Sequence, residues 1–410
     1  MEGKRIVLGV TGSIAAYKAV DLASKLAQAG ALVETVLTEA AERFVTPLTF
    51  QSVTGQAAYA DADLWGAEAH VLHVGLAQRA DLLVIVPVTA QTLAKLAHGL
   101  ADNLLTLTAL AAKCPLVLAP AMDAGMFAHA ATQANLHRLE QRGAVVVGPE
   151  EGHLASGLVA RGRLTEPSDL LGHIRYRLSR GGPLAGSRVV VTAGGTQEPV
   201  DPVRLLTNRS SGKQGLALAQ AALDAGANVT LIVAPLALPL PIGVEHLPVR
   251  TSAEMAEAVL NACHKADALL MAAAVADFRP ARPSGQKLKK EHGLPVLALK
   301  PTTDILAAVA RQRRETDYPL VVVGFAAETQ NLLENAQAKM QAKALDLIVA
   351  NDVSAPDAGF AVDTNRVTLL DAGGHVEALP LLTKAQVAEK VIEHVAARLQ
   401  EGRETAELDH

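Results

Sequence analysis

Ile6-Val7-Leu8-Gly9-Val10-Thr11-Gly12-Ser13-Ile14 is an apolar run that breaks on a turn of small residues. Beyond it, Ala15, Ala19, Leu22 and Leu26 recur at spacings of four, three and four, which is one stripe of a helix, and Gly30 ends the pattern. A second apolar run follows at Val33 to Leu37. Strand, turn, helix and strand make a βα unit. Runs that are apolar at every residue belong to strands covered on both faces, so the unit predicts a parallel sheet between helix layers. The alternation continues through Leu82 to Val86, Leu116 to Ala119 and Val145 to Val147. It stops at Ser179-Arg180-Gly181-Gly182-Pro183-Leu184-Ala185-Gly186, a stretch of turn formers. It then restarts with Arg188 to Thr192, a Gly194-Gly195 turn, a helix near Ser211 to Ala225 and a run at Val229 to Val233. Further strands are predicted at Ala268 to Met271, Leu320 to Val323, Leu347 to Val349 and Val367 to Leu370, with a closing helix near Lys384 to Leu399 and a frayed polar tail. Two α/β domains are therefore expected, residues 1–180 and 187–400. Both begin as strand, glycine turn and helix, but their later spacing differs, so they are not read as a repeat.

The chain of 410 residues is 50% hydrophobic and 19% charged, enough apolar surface to build two sizeable cores and to exclude disorder over its length. A net charge of −5 and 3% aromatic residues give no general attraction to nucleic acid or an anionic membrane and no stacking platform, so anions must be bound locally. Two cysteines, Cys114 and Cys263, make neither a disulfide framework nor a zinc site. No apolar run approaches the roughly 18 residues of a membrane span, and the N-terminus lacks a signal-peptide pattern. The expectation is a soluble, cytoplasmic protein with no nucleic-acid or membrane partner.

The Gly9 to Ile14 turn offers backbone N–H groups and a helix dipole to a phosphate. A tight βα turn also needs glycine for geometry alone, so the turn leaves both readings open. Val86-Pro87-Val88-Thr89-Ala90-Gln91-Thr92 places hydroxyls at a strand end, where ligands collect in open α/β sheets. Ala101-Asp102-Asn103-Leu104-Leu105, Ala119-Pro120-Ala121-Met122-Asp123 and Thr38-Glu39-Ala40-Ala41 add a helix start and further strand ends. Together these segments resemble the homo-oligomeric flavin-containing cysteine decarboxylases. The resemblance implies a flavodoxin-like, parallel-sheet flavoprotein domain whose turns hold FMN through Gly12, Ser13, Thr38, Thr89 and Thr92. His73 near a helix start reads as a cap or surface residue, and His70 with His73 would be a metal pair lacking a third ligand. Its match to the family's H-[IV]-x-L-x-x-x-A-D pattern makes it the active-site histidine, a mover of protons. Two departures stand out. Asp123, beside the substrate-contacting Met122, replaces the family's usual asparagine, so an amide donor becomes a carboxylate that repels a substrate carboxylate unless protonated or paired. Ser156, in His153-Leu154-Ala155-Ser156-Gly157-Leu158, stands where the flap usually carries its proton-donating cysteine, and a hydroxyl is a much weaker acid than a thiol.

In the second half, Ser210-Ser211-Gly212-Lys213 precedes a helix but lacks P-loop spacing, and it reads equally as a polar capped turn. With Asp201-Pro202-Val203-Arg204 and Asn208-Arg209 it resembles the phosphopantothenate–cysteine ligase domain, a Rossmann-like α/β fold, with Gln214 where that family usually has methionine. Matches continue in order through Ala272-Ala273-Ala274-Val275-Ala276-Asp277-Phe278, Lys287-Leu288-Lys289-Lys290, Lys300 to Leu306, Gly324 to Thr329, Lys339 with Lys343, and Asp346 to Asp352. The resemblance assigns Asn208 and Lys287 to catalysis, Arg204 to the acyl substrate and Asp277 to Mg2+. It assigns CTP to Met271, Ala272, Ala273, Asp277 and Lys287, to the helix start Thr303, Asp304, Ile305 and Leu306, and to Phe325, Lys339 and Lys343. The two lysines, four apart, share a helical face that would otherwise read as solvated surface. Both resemblances, in order over nearly the whole chain, identify it as a member of the bifunctional coenzyme A biosynthesis family. What this implies is CTP-dependent ligation of cysteine to 4′-phosphopantothenate through an acyl-cytidylate, releasing pyrophosphate. FMN-dependent decarboxylation of phosphopantothenoylcysteine to 4′-phosphopantetheine follows, with a thioaldehyde as electron sink. A homo-oligomer is expected, since the flavin family builds its site between subunits. A narrower reading keeps only the ligase active, with the flavoprotein half slow because of Asp123 and Ser156, or else an oligomeric scaffold or regulatory module. A nicotinamide dehydrogenase would need a G-x-G-x-x-G turn and an acidic ribose partner, which are lacking.

Overall fold

The computed structural model describes residues 1–65, 71–289, 296–328, 332–352 and 362–408. The chain divides into two compact units, Met1–Leu178 and Ser179–His410.

In the first unit, strands β1 (Arg5–Val10), β2 (Leu32–Leu37), β3 (Ala58–Tyr59), β4 (Leu82–Val88), β5 (Leu116–Pro120) and β6 (Val145–Val146) form a parallel sheet in the order β3-β2-β1-β4-β5-β6. Setting aside the two-residue edge strand β3, this is the flavodoxin-like order. Successive residues of β1 serve opposite faces. Ile6 and Leu8 join a core with Leu22 and Leu26 of the Ala16–Gln28 helix, whereas Val7 joins Leu93, Leu104 and Leu105 on the other side. Each such leucine, fully buried, contributes about 1.5–3 kcal/mol. That is why the runs are apolar at every position: all seven residues of β4 are buried. An antiparallel hairpin, β7 (Glu150–His153) and β8 (Val159–Arg163), carries Ser156 at its turn.

The second unit opens with β9 (Arg188–Ala193), then a small hairpin of β10 (Gln197–Pro199) and β11 (Leu205–Thr207). Strands β12 (Asn228–Val233), β13 (Glu245–Pro248) and β14 (Ala268–Met271) follow, and then a second hairpin of β15 (Phe278–Pro280) and β16 (Leu299–Pro301). After β17 (Val321–Glu328) and β18 (Leu347–Asp352) come β19 (Thr364–Asn365), β20 (Val367–Asp371), β21 (Val376–Ala378) and β22 (Leu382–Thr383). The main sheet runs β13-β12-β9-β14-β17-β18-β20-β21. Its first six strands are parallel in the Rossmann order, and β20 and β21 append an antiparallel edge. Strands β17 and β18 outrun the apolar patterns that predict them, because Ala327 and Glu328 pair across to Asn351 and Asp352 through backbone alone. The closing helix, Lys384–Leu408, continues into the tail expected to fray; Glu, Arg and Ala there are strong helix formers. Cys263 is buried in the Ser252–Cys263 helix, where desolvation pushes its thiol up to about 12, and Cys114 is also free. Among the described residues no helix is long and apolar enough to cross a membrane.

Both sheets reverse strand order beside their first strand, between β1 and β4 and between β9 and β14. In open α/β sheets the crevice at the carboxyl ends of such strands is the ligand position.

Candidate functional sites

At the first crevice lies a cleft of about 740 Å³, within the range of small-ligand pockets. Thr11, buried at the end of β1, holds its rim together. Its hydroxyl donates to the Pro87 carbonyl at 2.7 Å and accepts from the Thr89 N–H at 3.1 Å, tying the two strands at the reversal. Gly12, Ser13, Thr89, Met122, Asp123 and Ser156, which the resemblance assigns to cofactor, substrate or catalysis, line the cleft. Glycine is required at position 12: a Cβ there would lie 2.5 Å from that of Ala40, so the Gly12 turn could not close on the Thr38–Ala41 turn. Lys18 faces the same space and pairs with Glu166 at 2.8 Å; that bond first, with Arg163 alongside, holds the Glu166 carboxyl below its ordinary range. A helix start, the Ser13 hydroxyl and a lysine suit the phosphate of a flavin nucleotide.

Three expected cofactor or catalytic residues lie elsewhere. Thr92 is bonded to the Thr89 hydroxyl at 3.2 Å and stands behind the wall. The buried Thr38 accepts from the Ala41 N–H at 3.3 Å and shapes the turn rather than lining the cleft. His73, half-buried on the Leu72–Arg79 helix, does not line it either, and its buried Nδ1 has no partner among the described residues. His70 falls outside the described residues. Asn103, from a segment expected at a helix start, caps the Leu104–Ala111 helix through a capping box with Thr106.

The two departures from the family pattern meet. Ser156 Oγ donates to Asp123 Oδ2 at 2.8 Å, while Oδ1 accepts from the Gly125 N–H at 2.9 Å and caps the Ala124–Ala128 helix. The serine hydroxyl first, then the amide, hold the Asp123 carboxyl below its usual range. Asp123 is thus charged and paired, and the Ser156 proton points to it.

At the second crevice a cleft of about 400 Å³ collects Asn208, Met271, Ala272, Ala273 and Asp277. Thr303, Asp304, Ile305, Leu306, Phe325, Lys339 and Lys343 complete that part of its wall. Thr192 does here what Thr11 does in the first unit: it donates to Met271 Sδ at 3.4 Å and accepts from the Ala273 N–H at 3.0 Å. Asp304 caps the Ile305–Thr316 helix through the Ala307 N–H at 3.1 Å and pairs with Lys343 at 3.0 Å. Burial opposes its charge, but that N–H and the two lysines prevail, leaving the carboxyl below its ordinary range. Lys339 donates to the Phe325 carbonyl at 3.1 Å. Asn208 spends its amide donor on the Val275 carbonyl at 3.0 Å, steadying that backbone. Asp277 is exposed on the rim, and among the described residues no group of three or more His, Cys, Asp or Glu could hold a metal. A lone carboxylate suits Mg2+ held mainly by a nucleotide's phosphates and water.

Two further expected residues do not line this cleft. Arg204 does not line the cleft. Its guanidinium pairs with Asp201 at 2.6 Å and donates to the Leu288 carbonyl at 2.5 Å, while Asp201 accepts from the Leu288 N–H at 3.1 Å. Lys287 is exposed beside that anchor and also lies off the cleft, because Asp201 draws the chain at 288 toward itself. Burial disfavours the Asp201 charge, but three backbone N–H groups and Arg204 hold its carboxyl well below the usual range. Lys290 lies outside the described residues. Conversely, Lys213, Lys384, Asn351 and Asn365 line the cleft without having been assigned to it. Lys213 belongs to a quoted motif, whereas Lys384 reads in the sequence only as the start of a closing helix.

Comparison with known proteins agrees with this division. Residues 1–179 match the Flavoprotein family, and residues 184–399 match the DNA/pantothenate metabolism flavoprotein C-terminal domain family. The chain is 44% identical over 400 residues to the coenzyme A biosynthesis bifunctional protein CoaBC of Bacillus subtilis, covering 97% of this chain and 98% of that protein. It is 42% identical over 408 residues to the CoaBC of Mycobacterium bovis, covering 97% of each. Among solved structures, the C-terminal domain of a CoaBC is 37% identical, with a TM-score of 0.46, covering 54% of this chain and all of that one.

Proposed function

This chain belongs to the family of bifunctional coenzyme A biosynthesis proteins, and from that premise we propose how its two clefts divide the work. The second cleft, in a ligase domain spanning 187–400, joins cysteine to 4′-phosphopantothenate at the expense of CTP. The first, in a flavoprotein domain spanning 1–180, decarboxylates the resulting phosphopantothenoylcysteine to 4′-phosphopantetheine, in the cytoplasm. The observation that carries the ligase reading is the convergence of Lys339, Lys343, Asp277 and the Asp304-capped helix start on one crevice.

In the second cleft, Lys339 and Lys343 meet the nucleotide phosphates and the Thr303–Leu306 turn receives the nucleotide at a helix start. Mg2+ beside Asp277 would screen the triphosphate charge. Asn208 holds the 274–275 backbone in place where the acyl group must lie. Lys287 closes over the phosphates, and Arg204 acts through Asp201 by setting where the Lys287 segment starts.

In the first cleft, Gly12, Ser13 and Thr89 cradle the phosphate end of FMN, which supplies two-electron redox chemistry when bound. Met122 packs against the substrate. His73 moves a proton, and because it lies off the cleft of its own protomer it acts from a second copy of the chain in a homo-oligomer. Ser156 meets the substrate as an acceptor while its proton is engaged by Asp123.

That hydrogen bond also favours a second reading, in which the ligase turns over normally and the flavoprotein half is slow or serves as a scaffold. Incubating the protein with CTP, cysteine and 4′-phosphopantothenate, and following CMP and CO2 separately, tests both. Matched release supports the full reaction, CMP without CO2 selects the second reading, and absence of CMP sinks the ligase assignment.

A further inference from the structure

Two helices begin at one wall of the second cleft, and each begins with a lysine. Lys213 opens the Lys213–Asp224 helix and Lys384 opens the Lys384–Leu408 helix; Gln214 Nε2 donates to the Lys384 carbonyl at 3.2 Å and ties the two starts together. Both lysines line the cleft. A helix start already carries partial positive charge, so a cation there is unfavourably placed, and here two starts and two ammonium groups coincide. Lys384 is only 6% exposed and donates to the Val362 carbonyl. Asp363 pairs with Lys213 at 2.6 Å, but its side chain is 84% exposed, so water screens much of what it returns. Burial first, then the charge of Lys213, draws the Lys384 ammonium below its ordinary range. Beside them Asn365, 3% exposed and lining the same cleft, has an Oδ1 with no partner among the described residues. A buried amide oxygen that lacks a partner is costly unless a donor completes it, and with the O and N ends of the amide exchanged the same position presents a donor to the cleft.

Resting on the assignment of this cleft to a nucleotide, we propose that Lys213, Lys384 and Asn365 form a seat for inorganic pyrophosphate, the β,γ end of the triphosphate. A compact polyanion answers two cations and two helix starts, and its many oxygens accept from all of them. In the ligation, a carboxylate oxygen of the acyl substrate attacks the α-phosphorus. The bond from that phosphorus to its bridging oxygen breaks, and the electron pair leaves on pyrophosphate. The added charge develops beside these two ammonium groups.

The test titrates pyrophosphate alone into the full-length protein by calorimetry, and measures CMP release with CTP. Lys384→Gln is expected to weaken pyrophosphate about tenfold or more and to raise KM for CTP. Lys213→Gln, at a half-exposed position, carries the same binding expectation should the first variant not fold. Unchanged pyrophosphate affinity in a folded variant overturns the seat, as does an effect confined to KM for 4′-phosphopantothenate. Pyrophosphate binding that depends on Lys384 in a wild-type protein that makes no CMP would instead remove the nucleotide assignment and leave the anion seat standing.

Discussion

Thr11 and Thr192 occupy the same place in two different units, the end of the first strand, where a buried hydroxyl bonds across to the neighbouring strand at the reversal. A valine of equal shape would strand the Pro87 carbonyl and the Thr89 N–H without partners. Thr11→Val is therefore expected to cost about 1–3 kcal/mol, read as a lower urea midpoint at unchanged m, and to lower FMN retention. Asp123 invites the opposite kind of change. Its carboxyl is held below the ordinary range by Ser156 and the Gly125 amide, so the Ser156 bond persists above that range. The bond is lost only as pH falls through the lowered value, and Asp123 contributes no titration to activity near neutrality. Removing its charge while keeping its shape, Asp123→Asn, should lower KM for phosphopantothenoylcysteine on the order of tenfold by lifting like-charge repulsion with the substrate carboxylate. A CO2-release assay checks this; an unchanged KM would place that carboxylate elsewhere.

Among elements, the chain from β10 to β16 shows how a distant contact makes a loop into a tool. Asp201 and Arg204 sit on the connection between β10 and β11, yet both bond to the backbone of Leu288. On the proposed reading, Arg204 acts by positioning Lys287. Arg204→Gln keeps the backbone bonds to Asp201 but drops the guanidinium link to a buried carboxylate, and it is expected to lower the unfolding temperature and, in the folded protein, to raise KM for CTP about tenfold. Steady-state CMP release distinguishes this from an acyl-group contact, which would raise KM for 4′-phosphopantothenate instead. The Ser156 turn between β7 and β8 has the same logic, being held by one side-chain bond to the strand-end residue Asp123.

At the scale of the molecule, each unit has its own apolar core and its own strand-order reversal, so each can carry a reaction on its own surface. His73 does not line the first cleft, and the proposed reading has it act from a second copy of the chain. His73→Asn should abolish CO2 release with CMP release unchanged. Mixing it after co-refolding with a separately inactive Ser13→Trp variant, blocked at the phosphate turn, should restore part of the CO2 release, because a hybrid assembly pairs an intact cleft with an intact histidine. Failure to recover any activity would return His73 to its own protomer's cleft.

Much of this was legible along the chain. Continuous apolar runs with helical stripes between them dictate a parallel sheet, because only strands covered on both faces can be apolar throughout, and the turns after the first strand of each half mark where ligands gather. Eleven of the residues that the resemblance gives to the nucleotide line one cleft, since they sit at strand ends, or on helices beside them, that the sheet order brings together. Residues whose side chains are spent on other parts of the backbone could not be sorted this way. Thr38, Thr92 and Arg204 carry the right chemistry, but their hydrogen bonds lie behind the wall or across a loop, and a motif records identity rather than direction. Lys384 is the converse case: 171 positions beyond Lys213 by their numbering, it joins the cleft only because two helix starts pack together. Local pattern determines which elements form, since periodicity is a property of neighbours in sequence. Which charges face one another is decided by packing, since only the folded chain sets the distances over which charge acts.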